Sequence, residues 1–170
     1  ALVNDVSLRM VAKNELPKGL GYVQSKPATA FAPVAVTLDE LGDAWDNGRV
    51  RLTVQSAVNG RKIGMCDAGA DMAFHFGQLI AHVSKTRPVR AGAVFGSGAV
   101  SNAPTENKGK QEWHKGASCL IEKRAIEKLL DGKASTEYLK PSDSVRIEVK
   151  GKDGQSVFGA IDQTVVAPNA

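Results

Sequence analysis

The stretch Val50-Arg51-Leu52-Thr53-Val54-Gln55-Ser56-Ala57-Val58-Asn59-Gly60 decides the fold class. Val50, Leu52, Val54, Ser56 and Val58 alternate with Arg51, Thr53, Gln55 and Ala57. This period of two is that of a strand with one covered face. Asn59-Gly60 follows, and both central residues of a type I′ turn need positive φ, which this dipeptide tolerates best. The pattern predicts a strand over 50–58 and a return over 62–66. Further on, Val145, Ile147 and Val149 alternate, Asp153-Gly154 marks a second turn, and 157–166 reads as its returning strand.

Outward from these hairpins, two helices are expected. Residues 74–84 carry an apolar stripe at Phe76, Leu79, Ile80 and Val83, with Asp71 placed as a cap. Residues 122–131 put Ala125, Ile126, Leu129 and Leu130 on one side, and Gly132 supplies a left-handed stop. Thr37 precedes Glu40 by three residues, as in a capping box opening a shorter helical turn. Residues 102–115 are polar and aperiodic and read as a long surface loop. The sum is a β-rich α+β domain of hairpins with two or three short helices.

Composition narrows the function. A chain of 170 residues suits one domain, and 42% hydrophobic residues can build a core. No apolar run approaches the roughly 18 residues of a membrane span. Residues 1–5 carry no basic leader, so a cytoplasmic protein without a signal peptide is expected. The net charge of +4 is spread along the chain. The densest basic stretch, 108–115, is interrupted by Glu112 and holds one aromatic residue, Trp113, which argues against a nucleic-acid strip. Cys66 and Cys119 form no C-x-x-C pair, so they read as buried free thiols rather than zinc ligands.

Three local strings bear on chemistry. In Asn4-Asp5-Val6-Ser7-Leu8-Arg9, Asp5 alone reads as a turn or cap residue, and one carboxylate is a poor site for a cation that takes about six or more oxygens. In Gln24-Ser25-Lys26-Pro27, Pro27 biases Lys26 toward extended backbone, and the lysine alone reads as a solvated cation. Gly96-Ser97-Gly98-Ala99-Val100-Ser101-Asn102 follows the apolar Ala93-Val94-Phe95. Two glycines at a strand end let backbone N–H groups face an anion, although a tight turn explains them as simply. No Gly-Lys-Ser/Thr follows, so this is not a P-loop.

Taken in order, these strings resemble the fumarylacetoacetate hydrolase family, bacterial members most of all. The family shows N-D-x-S-x-R-D, a K-S or S-K lysine segment, a V-N-G hairpin, D-M-x-F entering a helix L-I-x-x-x-S, and G-x-G-T-V-S/G. Here these fall at 4–9, 26–33, 58–60, 71–74, 79–84 and 96–102, so the likeness runs from about residue 2 to 166. It implies a mixed β-sandwich roll of the fumarylacetoacetase C-terminal type. It further implies one catalytic domain over 1–170 that lacks its N-terminal part.

The implied activity is metal-dependent hydrolytic C–C cleavage of a β-diketo acid, of fumarylacetoacetate or acylpyruvate type, in aromatic catabolism. A decarboxylase or isomerase of the same family, or a non-catalytic relative, is the alternative. The likeness makes Asp5 a ligand of Mg²⁺ or Ca²⁺, Arg9 a contact for substrate carboxylate, and Lys26 the cation beside the reacting carbonyl. Gly98 and Ala99 would line the pocket through their backbone. Glu122 lies near the glutamate of a water-activating His–Glu pair, with the first turn of a helix as its competing role. A homodimer is implied as well.

Three departures stand out. Ala99 replaces the usual threonine, Met10 replaces the aspartate of R-D, and no E-x-E string is present. The family's E-x-E glutamates and dyad histidine would precede Asp5, so these 170 residues alone are expected to bind Mg²⁺ or Ca²⁺ weakly. His75 and His82, seven apart on one expected helix, read as helix-surface or core residues, and His114 as a loop residue.

Overall fold

The computed structural model describes residues 1–167. In chain order its elements are β1 (Val3–Asn4), α1 (Arg9–Glu15), β2 (Ala30–Phe31), α2 (Leu38–Leu41), β3 (Trp45–Asp46), β4 (Arg49–Val50) and β5 (Thr53–Val58). Then come β6 (Arg61–Asp67), α3 (Phe76–Ser84), β7 (Thr105–Asn107), β8 (Lys110–Glu112), α4 (Leu120–Asp131), β9 (Ser144–Val149) and β10 (Ile161–Thr164). The result is a sheet-rich α+β fold with a few short helices.

One four-stranded sheet in the order β10-β9-β5-β6 organises the molecule. Its two hairpins meet where β5 pairs with β9, setting Val54 opposite Val149 and Ser56 opposite Ile147. Three two-stranded ribbons surround it, β1-β2, β3-β4 and β7-β8. All these pairings are antiparallel. The core lies on one face of the sheet, where Val54, Val149, Phe158 and Ile161 pack with Ala32. Leu52, Val36 and Leu41 border it.

The Asn59-Gly60 turn forms with both residues left-handed, at φ 50° and 70°. Asn59 also donates through Nδ2 to Asp143 at 2.8 Å, and its Oδ1 accepts from the Ser144 N–H at 2.8 Å. The turn therefore ties the two hairpins together as well as reversing the chain. Asn59→Ala is expected to cost about 2 kcal/mol, combining the left-handed penalty of a Cβ residue with the lost hydrogen bonds. Asn59→Gly, which keeps the φ, should recover part of that loss in urea titration. Equal midpoints for the two variants would show that the backbone conformation contributes nothing.

Several expectations are corrected. The strand expected over 50–58 is split. Val50 pairs with Trp45, and the Arg51 N–H reaches the Ala44 carbonyl at 2.7 Å, so continuous pairing begins only at Thr53. Asp153-Gly154 is not a two-residue type I′ turn, because only Gly154 has positive φ. The Gly154 N–H bonds the Gly151 carbonyl at 3.0 Å and the Gly151 N–H bonds Gln155, which makes a three-residue loop with glycine in the left-handed place. The return segment bridges Lys150 at Ser156 and bonds the Val149 carbonyl through the Val157 N–H at 2.9 Å, is interrupted at Gly159, φ 77°, and pairs as a strand from Ile161.

The cap of α3 is His75, not Asp71. His75 Nδ1 accepts from the Gln78 N–H, and the Gln78 side chain accepts from the His75 N–H. Thr37 precedes α2 without a side-chain cap bond. The loop expected over 102–115 contains a small hairpin turned by Lys108 and Gly109, both left-handed. Residues 93–95, expected as a strand, form none. The helix from Leu120 does stop at Gly132, φ 76°. Among the described residues no helix is long and apolar enough to cross a membrane.

Candidate functional site

A cavity of about 540 Å³ opens over the apolar face of the central sheet. Val54, Ile147, Val149 and Phe158 line it from the core. Asp5, Ser7, Arg9 and Lys26 bring charge and polarity to it, and Gly96, Ser97, Gly98 and Ala99 contribute a further wall. Sequence neighbours could not make this site. It joins the segment after β1, the turn before β2, and the glycine stretch between α3 and β7.

Lys26 is the focus of the polar part. Its ammonium lies 2.8 Å from Asp5 Oδ1 and donates to Ser7 Oγ at 2.9 Å. The Asp5 carbonyl is a longer acceptor at 3.4 Å, and the Tyr22 ring centroid lies 5.9 Å away. Thr29 Oγ1 donates to the same Asp5 oxygen at 3.4 Å. The Lys26 and Asp5 side chains are 28% and 59% exposed, so water screens the pair and it contributes about 1 kcal/mol or less to stability. Its consequence is positional: it fixes a cation on the cavity wall. Arg9 opens α1 and, among the described residues, enters no ion pair, leaving its planar fork for an anionic ligand.

The turn that carries Lys26 is held from α1. The last residue of that helix, Glu15, accepts from the N–H groups of Val23 at 3.0 Å, Gln24 at 2.6 Å and Ser25 at 3.1 Å. It also accepts from Ser25 Oγ at 2.6 Å. These donors, the Ser25 hydroxyl first and the Val23 N–H next, pull its carboxyl down to about 2. Ser25 is fully buried.

The glycine stretch is held from the other side. Gly98 is left-handed at φ 81°. Just beyond it, Ser101 donates to Glu122, and buried Asn102 is clamped between strand and turn. Asn102 Oδ1 accepts from the Asp67 N–H at 2.8 Å, and its Nδ2 donates to Asp71 Oδ2 at 2.9 Å. The Asn102 amide and the Ala103 N–H hold the Asp71 carboxyl below its usual range. Asp71, misread as a helix cap, therefore anchors the end of the glycine stretch.

Asp5, Arg9, Lys26, Gly98 and Ala99 thus share one cavity. Glu122 does not line it. It sits in the first turn of α4, where Ser118 N–H and Ser101 Oγ donate to it. None of the three histidines lines the cavity: His75 caps α3, His82 lies in its last turn, and His114 pairs with Glu112 at 2.9 Å. Cys119 lines the wall, whereas Cys66 is buried and its thiol is pushed up to about 11, by burial first and then by the Glu122 charge. A thiol so placed stays protonated at neutral pH and is no nucleophile.

Sequence reading missed Ser7, Glu15, Ser25 and Asn102. Ser7 was inside a quoted string, but nothing local gave it a partner. Glu15 had no signal at all, because its contacts exist only after the chain reverses beyond α1.

A hard divalent cation takes about six or more oxygens. Among the described residues no group of three or more His, Cys, Asp or Glu could hold one. Asp5 is a single carboxylate with one oxygen already engaged by Lys26 and Thr29. The described residues do not make a metal site by themselves.

Over residues 1–166, essentially the whole chain, the sequence matches the family model described as fumarylacetoacetate (FAA) hydrolase C-terminal. No curated protein matches it significantly.

Proposed function

We propose a reaction for this chain, which belongs to the fumarylacetoacetate hydrolase family. Most of that family are enzymes of hydrolase, isomerase or decarboxylase type, and its members commonly bind divalent metals. Our reading is hydrolytic C–C cleavage of a β-diketo acid, a fumarylacetoacetate or an acylpyruvate. The observation that supports it is the gathering of Asp5, Arg9, Lys26 and the Gly96–Ala99 backbone on one cavity.

In this reading the Arg9 guanidinium takes the substrate carboxylate. Water adds to the acyl carbonyl, and the C–C bond electron pair passes to the departing keto-acid fragment as an enolate. A proton on the enolate carbon completes two acids from one. Lys26, oriented by Asp5 and Ser7, stabilises the oxyanion as it forms. Asp5 would give a Mg²⁺ or Ca²⁺ ion one carboxylate, with its other oxygens coming from outside the described residues.

The test is acylpyruvate and fumarylacetoacetate turnover by the full-length protein with added Mg²⁺ or Ca²⁺, with products identified by NMR. Two carboxylic acids in equal amounts support hydrolysis. Released carbon dioxide with a shortened keto acid moves the assignment to a decarboxylase. No turnover of any such acid favours a non-catalytic relative, with the missing hydroxyl at Ala99 the first difference to restore. Arg9→Ala should raise KM about 10–100-fold with little change in kcat, the worth of a charged hydrogen bond. An unchanged KM would remove Arg9 from the site.

A cytoplasmic location and a homodimer belong to the same proposal. The first is supported by two free thiols, one of them buried. The second is supported by large apolar side chains exposed on and after α1: Met10 at 71%, Leu20 at 83% and Val23 at 59%. A monomeric mass by light scattering at micromolar concentration would rule the dimer out.

A further inference from the structure

We propose that Glu15 is a positioning residue for Lys26, acting through the turn at 23–25. The proposal deepens the reading of Lys26 as the group that stabilises the oxyanion, and it rests on that reading for its effect on rate.

Glu15 closes α1, and a 3-10 turn over Leu16–Lys18 carries the helical path on to Gly19. Its carboxylate receives four hydrogen bonds, all from three consecutive residues, Val23, Gln24 and Ser25. Three successive N–H groups aimed at one carboxylate leave those residues little torsional freedom. Lys26 is the next residue. The Ser25 carbonyl also accepts from the Leu8 N–H at 2.8 Å, tying the same turn to the segment that carries Asp5 and Ser7. The backbone that launches Lys26 is thus held by Glu15, while its ammonium is held by Asp5 and Ser7. Removing the first hold leaves the turn with the Leu8–Ser25 bond and a long Lys26 N–H contact to the Val23 carbonyl, 3.4 Å. A misplacement of about 1 Å at a reacting group can cost about 10²-fold in rate.

Glutamine at position 15 keeps the shape but turns one acceptor oxygen into an NH₂ donor facing backbone N–H groups. Its carboxylate counterpart stays ionised through neutral pH, so glutamine removes an interaction present under every assay condition. The conservative variant Glu15→Asp keeps the acceptors and shortens the reach by one methylene.

The experiment uses the full chain and two readouts. The first is the rate at which an amine-reactive ester modifies Lys26, mapped by mass spectrometry against the other lysines. The second is kcat and KM for an acylpyruvate. In Glu15→Gln, Lys26 modification should rise several-fold with the other lysines unchanged. Its kcat should fall about 10–100-fold at nearly constant KM. Glu15→Asp should recover part of both. Ser25→Ala, which deletes only the hydroxyl contact, should shift both readouts in the same direction by less, and it decides the matter if Glu15→Gln does not fold.

Unchanged Lys26 modification in a folded variant overturns the proposal whatever kcat does. Faster modification with no loss of kcat in a folded, active enzyme overturns the effect on rate. Faster modification in a protein that turns over no β-diketo acid at all supports the positioning and sinks the reading of Lys26 as a group acting on substrate.

Discussion

Lys26→Met is expected to lower kcat for a β-diketo acid by about 10²–10³-fold, the loss that follows removal of one preorganised oxyanion donor. Methionine keeps the length and most of the apolar volume of the side chain, so the change isolates the ammonium. The Asp5 pair is partly exposed, and its loss should move stability by about 1 kcal/mol or less. A large fall in rate with a nearly unchanged melting temperature is therefore the signature. Lys26→Arg should not restore the rate, because a planar fork cannot reproduce a compact ammonium set between Asp5 Oδ1 and Ser7 Oγ. Turnover by Lys26→Met within about threefold of the parent would place the oxyanion elsewhere.

Gly64→Ala is expected to produce the largest loss of stability. A Cβ at Gly64 would lie 2.2 Å from the Ala117 carbonyl oxygen and 2.7 Å from the Ala117 nitrogen. Both are backbone atoms, so no rotamer change relieves the clash. The segment 115–117 runs beside β6 here, with the Met65 N–H on the Lys115 carbonyl at 2.7 Å and the Ala117 N–H on the Ile63 carbonyl at 3.1 Å. Gly64 and Gly116 face one another at the bridge between them. One methyl group must push that segment away from the sheet, and Ser118 and Cys119 of the cavity wall follow directly. Overpacking against a rigid neighbour should cost about 3 kcal/mol, which lowers the melting temperature by roughly 6–12 °C at this chain length. Gly60→Ala is the control. It has positive φ but open space around it, and about 1–2 kcal/mol is expected. Equal urea midpoints for the two alanine variants would show that the approach at Gly64 is looser than the structure has it.

Much of the local structure was legible because its causes are local. Alternation over Thr53–Val58 and the left-handed tolerance of Asn59-Gly60 suffice for the β5-β6 hairpin. An apolar stripe closed by Gly132 suffices for α4. Where local signals compete, the reading failed. Asp71 was expected to cap α3 where His75 does, and only the placement of Asn102 shows why Asp71 is taken elsewhere. The Lys108-Gly109 turn was missed because lysine has no intrinsic preference for the left-handed conformation it adopts there.

By itself, then, the sequence determined the strand-rich α+β class, the principal hairpin, the two longer helices and, through the order of its motifs, the family. Periodicity and turn chemistry act between residues two to four apart, so they are written into any short window. Only the tertiary structure decided that Val54 pairs with Val149, that Asp5 and Ser7 hold the Lys26 ammonium, and that Glu15 holds its backbone. Those contacts depend on which surfaces the chain buries against one another after its loops close. Neither alternation nor helical spacing encodes that choice, because it is made by the packing of the whole sheet face.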